Sequence, residues 1–217
     1  MITQELVNRI LVEIDALESD FQQHKGSILT EGDLKCQLFS RLQSIIPPPS
    51  ATMNPEITGT SLHSEVSFFD GNNKLTMLPD ITILHPKNLS ILHSTEVSIS
   101  SEGIRYEEYP TKKYTFGGDT IIIELKFCRN EAGLKASDIR RFKKDIEKII
   151  MLQNLSSERT YGRSKIHGIF VVFNKTNIGK STFESMHVNY NSRERLHVLY
   201  KTGGVNFINV NPLQPRL

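Results

Sequence analysis

The residues of this chain best placed to do chemistry lie on apolar stretches. One is Thr120–Phe127, TIIIELKF. In an extended strand residues i and i+2 share a face, so Ile121, Ile123, Leu125 and Phe127 point one way, and Ile122, Glu124 and Lys126 the other. A carboxylate and an ammonium thus stand side by side on a strand that otherwise reads as buried. Burying either alone is costly, so each requires a partner or a metal; the bland alternative is a plain ion pair at the end of the strand. In Leu75–Leu84 the same alternation sends Ile81 and Ile83 one way and Leu78, Asp80 and Thr82 the other, with Asp80 directly after Pro79. A preceding strand, His63–Phe69, puts His63, Glu65, Ser67 and Phe69 on one face. If the two strands form a hairpin turning between Asn72 and Asn73, Glu65 lies opposite Asp80; a turn centred at Gly71 and Asn72 puts His63 there instead. Two facing carboxylates repel unless a cation lies between them. A hard cation such as Mg²⁺, bound by few carboxylates plus water and substrate phosphate, resolves that repulsion.

The elements that must position these residues follow from periodicity. Leu6, Ile10, Ile14, Leu17 and Phe21 mark an amphipathic helix over residues 5–24. Thr30, with Asp33 three residues on, caps a second helix whose stripe is Leu34, Leu38, Leu42 and Ile45, and Pro47-Pro48-Pro49 stops it. Residues 50–61 read as loop, Leu89–Ile99 as one more strand, and residues 100–118 as irregular. Asp119–Phe127 is a β-branched strand, followed by a helix over 136–154 with Ile139, Phe142, Ile146, Ile149 and Gln153 on one side. Ile166–Phe173 reads as a central strand, then a short helix at Thr182–His187 and strands at Leu196–Tyr200 and Val205–Val210. Helices on both sides of a strand cluster predict an α/β domain with a central mixed sheet.

Pro79-Asp80, followed later by Glu124-Leu125-Lys126, resembles the PD-(D/E)xK nuclease superfamily. The order of elements is similar too: helix, hairpin with Pro-Asp, strand with Glu-x-Lys, helix, strand, with Glu31 opening a helix and Phe142-Lys143-Lys144-Asp145 in the helix that follows. The resemblance covers most of residues 28–175, leaving an N-terminal helix in 1–27 and a C-terminal helix and strands in 176–217. The 43 residues between Asp80 and Glu124 imply an insertion at about 88–118. It implies a restriction-endonuclease-like fold and Mg²⁺-dependent hydrolysis of DNA phosphodiesters, with Mn²⁺ substituting. Asp80 and Glu124 would bind the metal with the main-chain carbonyl of Leu125, and Glu31 and Glu65 would complete the acidic site. Lys126 would orient or deprotonate the attacking water, and the metal would polarise the phosphate and acidify that water. A homodimer is implied, and restriction, defence or repair as the setting. The competing expectation is a non-catalytic member of the same fold that binds nucleic acid or a partner protein.

Other signals are weaker. Asp33-Leu34-Lys35 matches the same acid-x-lysine pattern, but on a helix, where i and i+2 do not face each other. Gly179-Lys180-Ser181 follows a strand as a P-loop does, but Asn174 replaces the loop's first glycine, and a helix cap at Ser181 explains it; no nucleotide cofactor is expected. There is no HExxH pair for zinc and no G-x-S-x-G elbow. The stripe Arg141, Lys144 and Lys148 could follow a phosphate backbone, as could Arg159, Arg163 and Lys165; the alternative is a solvated face.

Composition bounds all this. The 217 residues fit one domain better than two, with 38% apolar residues and a net charge of +2. That charge is uneven: from Leu134 onward there are 15 Lys and Arg against 6 Asp and Glu, and before it 11 against 18. A site holding cations beside a surface meeting polyanions would have this distribution. Two cysteines, Cys36 and Cys128, give no disulfide framework and suit a reducing compartment. No apolar run approaches the roughly 20 residues of a membrane span, and MITQELVNRI lacks the pattern of a signal peptide, so a cytoplasmic protein away from membranes is expected.

Overall fold

The structure, a computed structural model, describes residues 2–69, 74–91, 96–100, 103–107 and 114–204. Helix α1 (Gln4–Gln23) is capped by Thr3, whose hydroxyl accepts the Leu6 N–H, and buries Val7, Ile10, Ile14, Leu17 and Phe21. Helix α2 (Glu31–Ile45) opens on the expected reciprocal cap. Thr30 Oγ1 accepts the Asp33 N–H at 3.0 Å, and Asp33 Oδ2 accepts the Thr30 N–H at 2.9 Å. It ends where Ile46 turns extended ahead of Pro47.

Five strands form the main sheet: β1 (Leu62–Ser64), β2 (Ile81–Leu84), β3 (Thr120–Cys128), β4 (Ile166–Asn174) and β5 (Leu196–Thr202), in the order β5-β4-β3-β2-β1. Strands β3, β4 and β5 are parallel, and β2 and β1 are antiparallel additions. Parallel neighbours need crossovers; these are α3 (Ala136–Thr160) and α4 (Lys180–His187). Helices α1 and α2 cover the face bearing Ile81, Ile83, Ile121, Ile123 and Leu125, while α3 and α4 cover the face bearing Ile122, Phe170 and Val172. The product is a mixed α/β unit in three layers. Among the described residues no helix is long and apolar enough to cross a membrane.

Several expectations need correction. The strand over His63–Phe69 is broken at Glu65, whose φ of 56° lies in the left-handed region, and resumes only at Phe68–Phe69. Its partner is broken at Leu78–Asp80 and leaves only Leu75–Met77 and β2, since Pro79 has no N–H for a ladder. The register expected from a turn between Asn72 and Asn73 holds at His63 with Thr82 and at Phe68 with Met77, and then shifts by one residue, so that Phe69 pairs with Leu75. The turn itself lies outside the described residues. Helix α3 runs six residues past 154, and Tyr161 at φ 52° ends it. The cap of α4 is Gly179 at φ 86°, not Ser181. Residues 50–61 contain a short ladder, Ser50–Ala51 with Thr58–Gly59. The segment read as irregular contains two strands: Gly103–Glu107 pairs with Glu96–Ser100, and Tyr114–Phe116 with Leu89–Ile91. The strand expected at Val205–Val210 falls outside the described residues.

Candidate active site at the open edge of strand β3

Strand β3 is flanked by β4 along its whole length but by β2 only over Thr120–Ile123. From Glu124 onward no strand among the described residues pairs with the edge on the β2 side, which is open to side chains. Within a strand, the N–H and C=O of one residue face the same neighbour, so Leu125 and Phe127 present their backbone groups to that open edge. Two carboxylates complete what the ladder leaves unpaired: Asp80 Oδ2 accepts the Leu125 N–H at 2.8 Å, and Glu31 Oε2 accepts the Phe127 N–H at 3.1 Å. By the same geometry the Leu125 carbonyl faces the edge where Asp80 sits. The break at Pro79 therefore has a consequence: β2 starts one residue after Asp80 and leaves this edge to side chains.

The charges lie on the α3 face of β3, as alternation requires. Glu124 is 8% exposed. Its Oε1 accepts from Lys126 Nζ at 2.5 Å, while its Oε2 is buried without a hydrogen-bond partner. Lys126 also meets Asp145 of α3 at 3.4 Å, and Asp145 accepts from Lys148 at 2.9 Å. Burial pushes the Glu124 carboxyl up to about 7; Lys126 pulls it back, and the charges of Asp80 and Asp145 push it further up. Asp80 is raised as well, by burial first and then by Glu31, against the Leu125 N–H and the ammoniums of Lys126 and Lys35. Burial lowers Lys126, but Glu124, Asp145 and Glu31 outweigh it, so the ammonium is held well above its ordinary value. Burial is the first cause of the rise at both acids, and the surrounding carboxylates keep Lys126 charged.

A cleft of about 220 Å³ opens beside this group, walled by Glu31, Lys126, Phe127, Cys128, Asp138, Arg141, Phe142 and Asp145. Asp80 and Glu124 are not among its walls; Lys126 and Glu31 connect it to them. Of the residues expected at the site, Asp80, Glu124, Leu125, Lys126 and Glu31 come together on one strand edge. Glu65 does not join them: its carboxylate, 61% exposed, pairs with Lys35 at 2.6 Å. His63, the alternative, hydrogen-bonds the Thr60 carbonyl at 2.8 Å. Arg141, 73% exposed, lines the cleft and pairs with Asp138, while Lys144 is exposed on the same helix and Lys148 is held by Asp145.

Two further residues bear on the site. Asp145 belongs to a row of alternating charge on α3, Asp138, Arg141, Asp145 and Lys148, whose i, i+3 and i, i+4 spacing was the available signal. Lys35, set aside with its helical motif, bears on Asp80 electrostatically. The P-loop-like segment is ordinary helix start: Lys180 pairs with Glu184 at 3.6 Å.

Among the described residues no three His, Cys, Asp or Glu side chains converge into a ready-made metal cage. The donor set still fits a hard divalent cation. It offers the unpartnered Glu124 Oε2, the Asp80 carboxylate and the Leu125 carbonyl, all oxygens, and Mg²⁺ takes one or two carboxylates and keeps several waters. Comparison with protein-family models, curated proteins and solved structures gave no match.

Proposed function

We propose that the chain is a Mg²⁺-dependent endonuclease of the restriction-endonuclease-like type, hydrolysing DNA phosphodiesters at the edge of β3. The observation that carries this reading is the meeting of Asp80, Glu124 and Lys126 at the edge of β3, where Asp80 accepts the Leu125 N–H, with one buried Glu124 oxygen unpartnered among the described residues. Asp80, Glu124 and the Leu125 carbonyl would hold the cation, with Glu31 fixing the strand beside them. A divalent cation bound there supplies charge neutralisation at the scissile phosphate and a more acidic water. Lys126 has the remaining role: its ammonium donates hydrogen bonds that orient a water for attack and offsets charge on the phosphorane-like transition state. Arg141 and Lys144, on the exposed side of α3 beside the cleft, suit backbone phosphates. A homodimer, which would cut both strands, comes from the family resemblance alone.

A second reading has its own support. Lys126 is closed on Glu124, and among the described residues no three-ligand cage is formed, as would suit a fold member that binds nucleic acid without cutting it. Incubation of supercoiled plasmid with the protein in Mg²⁺ or Mn²⁺, beside EDTA, separates the two. The proposal expects nicking or linearisation that requires the cation. Intact plasmid in both ions, with retained binding, would favour the non-catalytic member.

A further inference from the structure

The Lys126 ammonium lies between two carboxylates from different layers of the fold: Glu124 on its own strand at 2.5 Å, and Asp145 on α3 at 3.4 Å. These two contacts do different work if Glu124 takes a cation. A dication on Glu124 engages the carboxylate that neutralises Lys126 and places two like charges side by side in a poorly solvated site, which alone would drive the ammonium out toward solvent. Asp145 is free of that demand. Its side chain is 17% exposed, it is anchored between the buried Phe142 and Ile146, and Lys148 holds its other oxygen at 2.9 Å. It approaches Lys126 from the helix, and the ammonium can close on it with a small movement.

We propose that Asp145 is a positioning residue, the counter-charge that keeps Lys126 at the site when a divalent cation occupies Glu124. The inference deepens the endonuclease reading and rests on it. A merely structural role, tying α3 to β3, would leave cation affinity unchanged.

The test is Mn²⁺ titration calorimetry on the full chain for wild type, Asp145→Asn, Lys126→Ala and the double variant, with Asp145→Glu and Asp80→Ala alongside. Asp145→Asn should weaken Mn²⁺ binding about tenfold when Lys126 is present and about twofold or less when it is alanine, the non-additivity expected of coupled neighbours. Asp145→Glu should restore most of the affinity. Equal weakening in both backgrounds, or no weakening in either, overturns the inference while leaving the endonuclease reading intact. Wild type that binds no Mn²⁺, or binds it as well after Asp80→Ala, overturns both. If Asp145→Asn does not fold, Asp145→Ser completes the same cycle.

Discussion

The chain carries the pattern acid-x-lysine twice, and the two copies have opposite fates. Asp33-Leu34-Lys35 sits in the first turn of α2. There Asp33 caps its own helix through the Thr30 and Leu29 N–H groups, and Lys35 points elsewhere, to Glu65. Glu124-Leu125-Lys126 sits on β3, where the period of two brings carboxylate and ammonium onto one face and into contact at 2.5 Å. The helical copy is half-buried, and both of its charges are partnered. The strand copy is shielded, and its acid is short of partners. Similar residue types thus become a cap in one place and a paired charge group in the other, and the difference lies in backbone period and in the burial of the acid.

The largest contrast should appear in catalysis. Asp80→Ala should reduce plasmid cleavage by about 10³-fold, within the range removal of such groups costs, and should abolish thermal stabilisation by Mn²⁺. An unchanged cleavage rate would remove Asp80 from the site.

A second contrast lies in pH dependence. The Glu124 carboxyl is raised in the folded state from 4.5 to about 7, so the folded protein binds more protons there than the unfolded chain between those values. Its contribution is full below about pH 4.5 and is lost as pH rises through about 7. In the cation-free protein, Glu124→Gln should therefore remove up to about 3 kcal/mol of the fall in stability over that window. Denaturant melts at pH 5 and pH 8 measure it, and parallel pH dependence in both proteins would contradict it.

The helical copy predicts smaller effects. Thr30→Ala, which removes one half of the reciprocal cap, should cost about 1 kcal/mol in the same melts. Glu65→Gln, which breaks the exposed pair with Lys35, should leave the melting temperature within error at physiological salt. A marked drop would mean that the pair braces the break in the hairpin.

Much of this was legible in sequence. The stripe of α1, the reciprocal cap of α2 and the facing of Ile121 and Ile123 against Ile122, Glu124 and Lys126 all follow from local periods, and the hairpin register followed from a turn centre. What escaped was set by tertiary context. One of the two expected registers matches the pairs at His63 and Phe68, yet Glu65 and Asp80 do not pair, because Glu65 is left-handed and Pro79 ends the ladder. Asp80 bonds instead to a backbone 45 residues away, and no hairpin argument reaches that far. Asp145 is 19 residues beyond Lys126 on a helix of another layer, and its charge row alone did not say which way it faced. The strands at Gly103–Glu107 and Tyr114–Phe116 alternate over only three or four residues each, among Gly103, Pro110, Gly117 and Gly118, and such short runs are a weak strand signal.

The claim that chemistry belongs to the strand copy is tested most directly by comparing cation-dependent cleavage of one labelled DNA duplex by Lys126→Ala and Lys35→Ala, at matched folded concentration. The account predicts that Lys126→Ala loses about 10³-fold in rate while Lys35→Ala, which acts on Asp80 only through its field, stays within about fivefold of wild type. Equal rates for the two variants, or a larger loss from Lys35→Ala, would contradict it.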